Sequence, residues 1–134
     1  MEFGLRALGN RSILADPRKF ETVAKINQKI KKRDFWMPFT PSMLFEDRNK
    51  FYKNHKNLNA KFMSMAFEST EFGRKNLKAA IHPADFTIRP QTVKREDNKS
   101  YYDLIKSFKK ITKVGALLNT SLNLHGMPIA LSHV

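Results

Sequence analysis

The chain has 134 residues, 25 Lys and Arg against 12 Asp and Glu, and a net charge of +13. That length suits one domain, and a 41% hydrophobic content that includes 11 Phe is enough for a core. The absence of Cys excludes disulfides and thiolate metal sites, and no apolar run reaches the ~18 residues of a membrane span. No signal peptide is legible, so a cytoplasmic protein is expected. The positive charge raises the question of a polyanionic partner, but it is spread over the whole chain with no basic tail. Its densest runs, Lys29–Arg33 and Lys106–Lys113, fall on expected helices and read first as solvated faces. No RNA-binding or zinc-finger signature accompanies them, and nucleic acid is not the expected partner.

In chain order, "MEFGLRALGNRSILADPRKF" reads as a loop feeding a helix. Asp16 is a candidate cap and Pro17 fits a first helical position. Phe20, Val23, Ala24, Asn27 and Ile30 recur at helical spacing, which predicts a helix over Pro17–Lys32. Pro38 and Pro41 make "RDFWMPFTPS" extended or turning, and "SMLF" is a short apolar run. One or two helical turns are expected over Glu46–Tyr52, then a polar loop at "NHKNLNAK". "FMSMAFES" is strand-like, "EFGRKNLKAA" is ambiguous, and "DFTIRPQTV" alternates as a strand that Pro90 displaces towards an edge or bulge. Asp97 or Asn98 caps a second helix carried by Tyr101, Leu104, Ile105, Phe108 and Ile111. "VGALLNTSLN" is a buried strand ending in a polar turn, and "HGMPIALSHV" a loop followed by a strand. The mixture gives an α/β (α+β) fold.

Arg is suited to forked contacts with phosphate, and Lys supplies a mobile point charge. Arg6, Arg11 and Arg18 occupy the opening segment, Lys31, Lys32 and Arg33 close the first helix, and Arg89 lies within an expected strand. Asn119, Thr120, Ser121 and Asn123 follow a buried strand, a common place for a ligand, although Asn and Ser also favour ordinary turns. His55, His82, His125 and His133 have no metal-ligand spacing, so no metal site is expected in this chain. No GxxxxGK[ST] phosphate loop is present.

Five segments in order are more specific: "MEFGLRALGNRSILADPR", "INQKIKKRDFWMPFTPS", "HPADFTIRPQTV", "YYDLIKSFKKIT" and "LLNTSLNLHGMPI". Together they resemble the C-terminal domain of the O-carbamoyltransferases, which include nodulation and antibiotic-tailoring enzymes (tobramycin, cephamycin). The resemblance covers nearly the whole chain and is weakest over residues 45–78.

It implies a YrdC-like domain, an open twisted mixed sheet flanked by helices with a basic concave face. In the family this domain reacts ATP, with Mg expected, and carbamoyl phosphate to give carbamoyladenylate. A Kae1-like N-terminal domain holds iron or another metal and moves the carbamoyl group to a hydroxyl of a sugar or antibiotic. That implies a carbamoyltransferase domain over 1–134 that is truncated at both ends, a separate N-terminal partner domain, no membrane role, and a homodimer as an open arrangement. Carried over by motif, Arg6 matches the Arg of "EFGPRALGNRS", Lys31 the Lys of "IKxRE", and Arg89 the Arg of "T-x-R-x-Q-x-V". These three are implied phosphate or nucleotide contacts, with Lys31 and Arg89 in the catalytic roles. Asn119, Ser121 and Asn123 match "LLNTSFN" and are implied to orient the carbamoyl group or nucleotide. Leu5, Leu122 and Met127 depart from the pattern, and Met37 stands where the family's "FRPFAPS" has Arg. A non-catalytic module binding RNA or another polyanion, or an inactive remnant, stays open beside the enzyme reading.

Overall fold

A computed structural model describes residues 8–34 and 37–130. Arg6, the rest of the opening seven residues and His133 lie outside that range.

Four strands form the main sheet in the order β1-β6-β2-β5: β1 (Ser12–Ala15), β6 (Ala116–Ser121), β2 (Thr40–Leu44) and β5 (Gln91–Val93). β6 runs antiparallel to both β1 and β2, whereas β2 and β5 are parallel. β3 (Phe67–Glu68) and β4 (Thr87–Ile88) make a separate antiparallel pair. The helices are α1 (Glu21–Ile26), α2 (Arg48–Phe51), α3 (Glu71–Asn76) and α4 (Lys99–Thr112). The result is the expected α+β architecture with a mixed sheet.

Period-two alternation divides β6 between two layers. Leu117 joins Leu44, Val93, Tyr101 and Ile105 beneath α4. Leu118 faces Val23, Ile26, Phe39 and Ala79 under α1, and Ala116 packs with Met43, Phe51, Tyr52 and Leu77. α4 matches its expectation closely: the Asn98 side chain accepts from Tyr101 N, and Lys113 ends the helix at φ 65°. Ile105 is fully buried, worth about 2 kcal/mol of apolar transfer, whereas Leu104 and Ile111 face outward.

Several sequence expectations are corrected. The helix expected over Pro17–Lys32 begins only at Glu21 and widens into a π turn over Asn27–Lys31. Asp16 accepts from Arg18 N at 3.0 Å and pairs with the Arg18 guanidinium at 2.6 Å, so it organises a turn rather than capping the helix. The opening segment contains a strand, β1, and is not all loop. "DFTIRPQTV" is split by Arg89-Pro90: β4 pairs with β3, and β5 joins the main sheet. Pro90 has no N–H to give to a ladder, which favours the break there. The strand-like "FMSMAFES" contributes only the two residues of β3. Pro41 lies inside β2, but before the stretch Ser42–Leu44 that pairs with β5, so its missing N–H interrupts no bond to that strand.

Candidate functional site

The ends of β2 and β6 open into a cleft of about 360 Å³. Its walls include Arg33, Met37, Pro38, Phe39, Thr40, Met63, Arg89, Thr120, Ser121 and His125. Arg33 follows α1 through Lys32, whose left-handed backbone (φ 44°) stops the helix and turns the chain. The Arg33 guanidinium lies 5.1 Å from the Phe39 ring centroid and donates to Thr120 Oγ1 at 3.4 Å. The aromatic and hydroxyl partners orient the group. Arg89 reaches the same cleft from the β4–β5 link, outside both strands, and is exposed. The two cations therefore arrive from separate parts of the sequence on a cleft whose described lining contains no Asp or Glu.

Lys31 is placed differently. It is 2% exposed, and its ammonium donates to Ser121 O (2.6 Å), Ser121 Oγ (3.2 Å), Asn123 O (3.0 Å) and Asn123 Oδ1 (2.6 Å). An ammonium has three N–H donors, so four oxygens saturate it. Burial, and secondarily the charge of Arg33, push its pKa down to about 8. In this arrangement Lys31 fastens the strand-to-loop junction that forms one cleft wall. Ser121 and Asn123 are its partners, and Asn123 Nδ2 also donates to Leu124 O and Met127 O at 2.9 and 2.8 Å.

Asn119 also lines the cleft, but it is 2% exposed and its amide is engaged within the sheet. It donates to Ser42 Oγ and Gln91 Oε1, both at 2.9 Å, and Ser42 Oγ donates to Gln91 Oε1 at 2.6 Å. This buried network ties β6 to β2 and β5. The carbonyl of Asn119 accepts from Thr40 Oγ1 at 3.0 Å, which fixes the Thr40 hydroxyl at the cleft wall.

Of the expected site residues, Arg89 lines the cleft, while Lys31, Ser121 and Asn123 come together in its supporting wall. Asn119 also borders the cleft, although it is buried and its amide is engaged in the sheet network, and Arg6 falls outside the described residues. Arg18, in the expected opening set, is tied to Asp16, and Arg11 reaches Ala130 O at 3.4 Å. Sequence reasoning named Arg33 and Thr120 among its candidates without carrying them into the expected site, and gave His125 no ligand role. Strand alternation gives a signal for Thr120, which must face opposite Asn119, and the Arg that ends a helix beside aromatic residues gives one for Arg33.

Chemically, two guanidiniums with nearby hydroxyls suit phosphate or carboxylate oxygens. Among the described residues no three His, Asp or Glu gather as a metal cluster. The donor set of the cleft thus fits the oxygens of a phosphate or carboxylate ligand.

A family model described as "Carbamoyltransferase C-terminus" matches residues 1–133. The nodulation protein NolO of Bradyrhizobium diazoefficiens is 46% identical over 98% of this chain. An uncharacterized protein, MJ1058, of Methanocaldococcus jannaschii is 49% identical over 96% of it. The 3'-hydroxymethylcephem-O-carbamoyltransferase of Amycolatopsis lactamdurans is 35% identical over 93%. The chain spans 24%, 21% and 23% of those three proteins respectively, so it corresponds to about a quarter or a fifth of their length. A match over virtually the whole chain, with relatives that include an O-carbamoyltransferase, shows that this chain belongs to the carbamoyltransferase C-terminal domain family.

Proposed function

We propose that this chain is the part of an O-carbamoyltransferase that binds carbamoyl phosphate and ATP and promotes formation of carbamoyladenylate, for transfer to a hydroxyl by an N-terminal domain. The observation that carries the reading is that Arg33 and Arg89 both line a cleft with no acidic lining among the described residues. Two anionic reactants repel one another, and bringing them together calls for fixed positive groups at the reacting phosphates. Group transfer between phosphate-bearing molecules depends mainly on such positioning and electrostatic stabilisation. Arg33 and Arg89 take the phosphates, Thr40 and Thr120 offer hydroxyls beside them, and Lys31, Ser121 and Asn123 keep the wall in register. Lys31 is assigned a positioning role because its donors are already engaged. Carbamoyl phosphate gives up inorganic phosphate, ATP supplies the adenylyl group and releases pyrophosphate, and a magnesium ion bound with the nucleotide would offset the charge of its phosphates.

Met37 lies on the cleft wall where the family pattern carries Arg, so this site has one cation fewer at that position. Weaker phosphate binding than in relatives follows. Exchange of labelled pyrophosphate into ATP, dependent on carbamoyl phosphate, tests the reading. Exchange that requires both Arg33 and Arg89 supports it. Exchange that is unchanged in both Arg→Ala variants would refute the assignment of the cleft.

A further inference from the structure

We propose that His125 is a proton-dependent anion contact of the Arg33–Arg89 cleft, giving the site a third positive group when its ring is protonated. The proposal rests on the phosphate-binding reading above and adds to it a residue of the fifth segment to which the sequence reading assigned no ligand role.

His125 lines the same cleft as Arg33, Arg89 and Met37. The turn that carries it is pinned at both ends. Lys31 grips Asn123 through its carbonyl and side-chain oxygens at 3.0 and 2.6 Å. Across the turn, Asn123 Nδ2 donates to Met127 O at 2.8 Å and Met127 N donates to Leu124 O at 3.1 Å. Further on, Ala130 N donates to Leu122 O at 3.0 Å. Gly126 adopts φ 76°, a backbone state that glycine enters at little cost, so the residue after His125 permits the tight reversal. An imidazole is thus held over the cleft by a braced turn. Among the described residues no hydrogen bond or ion pair engages its ring.

The charged groups around it are Arg33 from the segment after α1, Arg89 from the β4–β5 link, and Lys31 behind the wall. No Asp or Glu is among the described lining residues, so no carboxylate there competes with a bound anion for the imidazolium. Histidine is the side chain whose ordinary titration falls between about pH 5 and 8. A bound phosphate and an imidazolium stabilise one another, so proton uptake and ligand binding become thermodynamically linked. The device replaces a permanent charge with a conditional one in a cleft where Met37 supplies none.

The test is titration calorimetry with ADP on the chain and on His125→Gln, at about pH 6 and about pH 8.5. Taking the ratio of the two affinities at each pH cancels titration of the ligand itself. The expected ratio is about threefold in favour of the wild type at the lower pH and close to one at the higher, the size of a partly solvated charge contact. His125→Lys should bind ADP with an affinity that stays high at the upper pH. His125 is exposed, so neither variant removes core packing. A ratio that does not change with pH, where wild-type ADP binding is measurable, would overturn this inference alone. Wild-type protein that fails to bind ADP at either pH overturns the phosphate reading and this inference with it.

Discussion

Replacing Lys31 with Met tests the clamp that holds the cleft wall. The side chain is 2% exposed, and Met fills most of its volume while removing every donor. Four oxygens within 3.2 Å then lose the ammonium, although Ser121 O keeps Asn123 N and Asn123 Oδ1 keeps the Ser121 hydroxyl. Hydrogen bonds to a charged group are worth about 1.5–3 kcal/mol each when counted singly, but these share one ammonium and their losses do not add. Relief of burying a charge offsets part of the loss, and water can reach the Asn123 side of the junction. A net destabilisation of about 2–4 kcal/mol is expected, in the range found when one partner of a buried polar pair is removed. Urea unfolding followed by circular dichroism reads it as a lowered midpoint with an unchanged slope. A pH series adds a second signature. The folded pKa of Lys31, about 8, lies below its ordinary value of 10.5, so between those values the unfolded chain holds the proton and the folded chain releases it. Wild-type stability should therefore rise relative to Lys31→Met as pH climbs through that window. A variant within about 0.5 kcal/mol of wild type, with no difference in pH slope, would refute the clamp.

Other substitutions follow from the same structure. Asn119→Ala removes the amide that donates to both Ser42 and Gln91, leaving only their mutual bond, and should cost about 2–3 kcal/mol in urea unfolding, whereas a cost near zero would mean that the amide adds nothing. Gly73→Ala would place a Cβ 2.2 Å from the Phe51 carbonyl oxygen, so thermal melting should show a loss of about 2 kcal/mol or more; an unchanged melting temperature contradicts that contact. Asp47 pairs with Lys109 at 2.5 Å and Lys50 at 2.8 Å. Burial opposes its ionisation, but these partners hold its carboxyl below the ordinary value. Its contribution is present above the unfolded pKa of about 3.9 and is lost as pH falls through the lower folded value, so Asp47→Asn should show a smaller acid loss than wild type below about pH 4. A nucleic-acid module would bind single-stranded RNA with affinity falling steeply with salt and indifferent to carbamoyl phosphate; the cleft account expects competition between the two ligands.

What the sequence made legible divides along physical lines. α4 was readable because Asn98 caps it and Tyr101 and Ile105 recur on its buried side, all within one local segment. β6 was readable as an apolar run ending in polar residues. β1 was hidden because its partner, β6, lies about a hundred residues away and all four of its residues are only half-buried. "DFTIRPQTV" alternates throughout, yet its two halves serve different sheets, a choice made by pairing partners and by Pro90 rather than by local pattern. In the site, residue types were visible but their directions were not. Lys31 and Arg33 are two positions apart, and only tertiary contacts show one sealed behind the wall and the other on the cleft. Asn119 and Thr120 are neighbours on a strand and both border the cleft, but the Asn119 amide is spent on Ser42 and Gln91 while the Thr120 hydroxyl meets Arg33, a difference that a motif containing both cannot show.

The central claim is that Arg89, which lines the cleft together with Arg33, seats a phosphate. Calorimetric titration of the wild type and Arg89→Ala with carbamoyl phosphate and with ADP tests it most directly, because Arg89 is exposed and its removal should leave the core intact. The account predicts roughly tenfold weaker binding of at least one of the two ligands, the scale of a lost charged hydrogen bond, with an unchanged unfolding midpoint. Equal affinity of the two proteins for both ligands would contradict it.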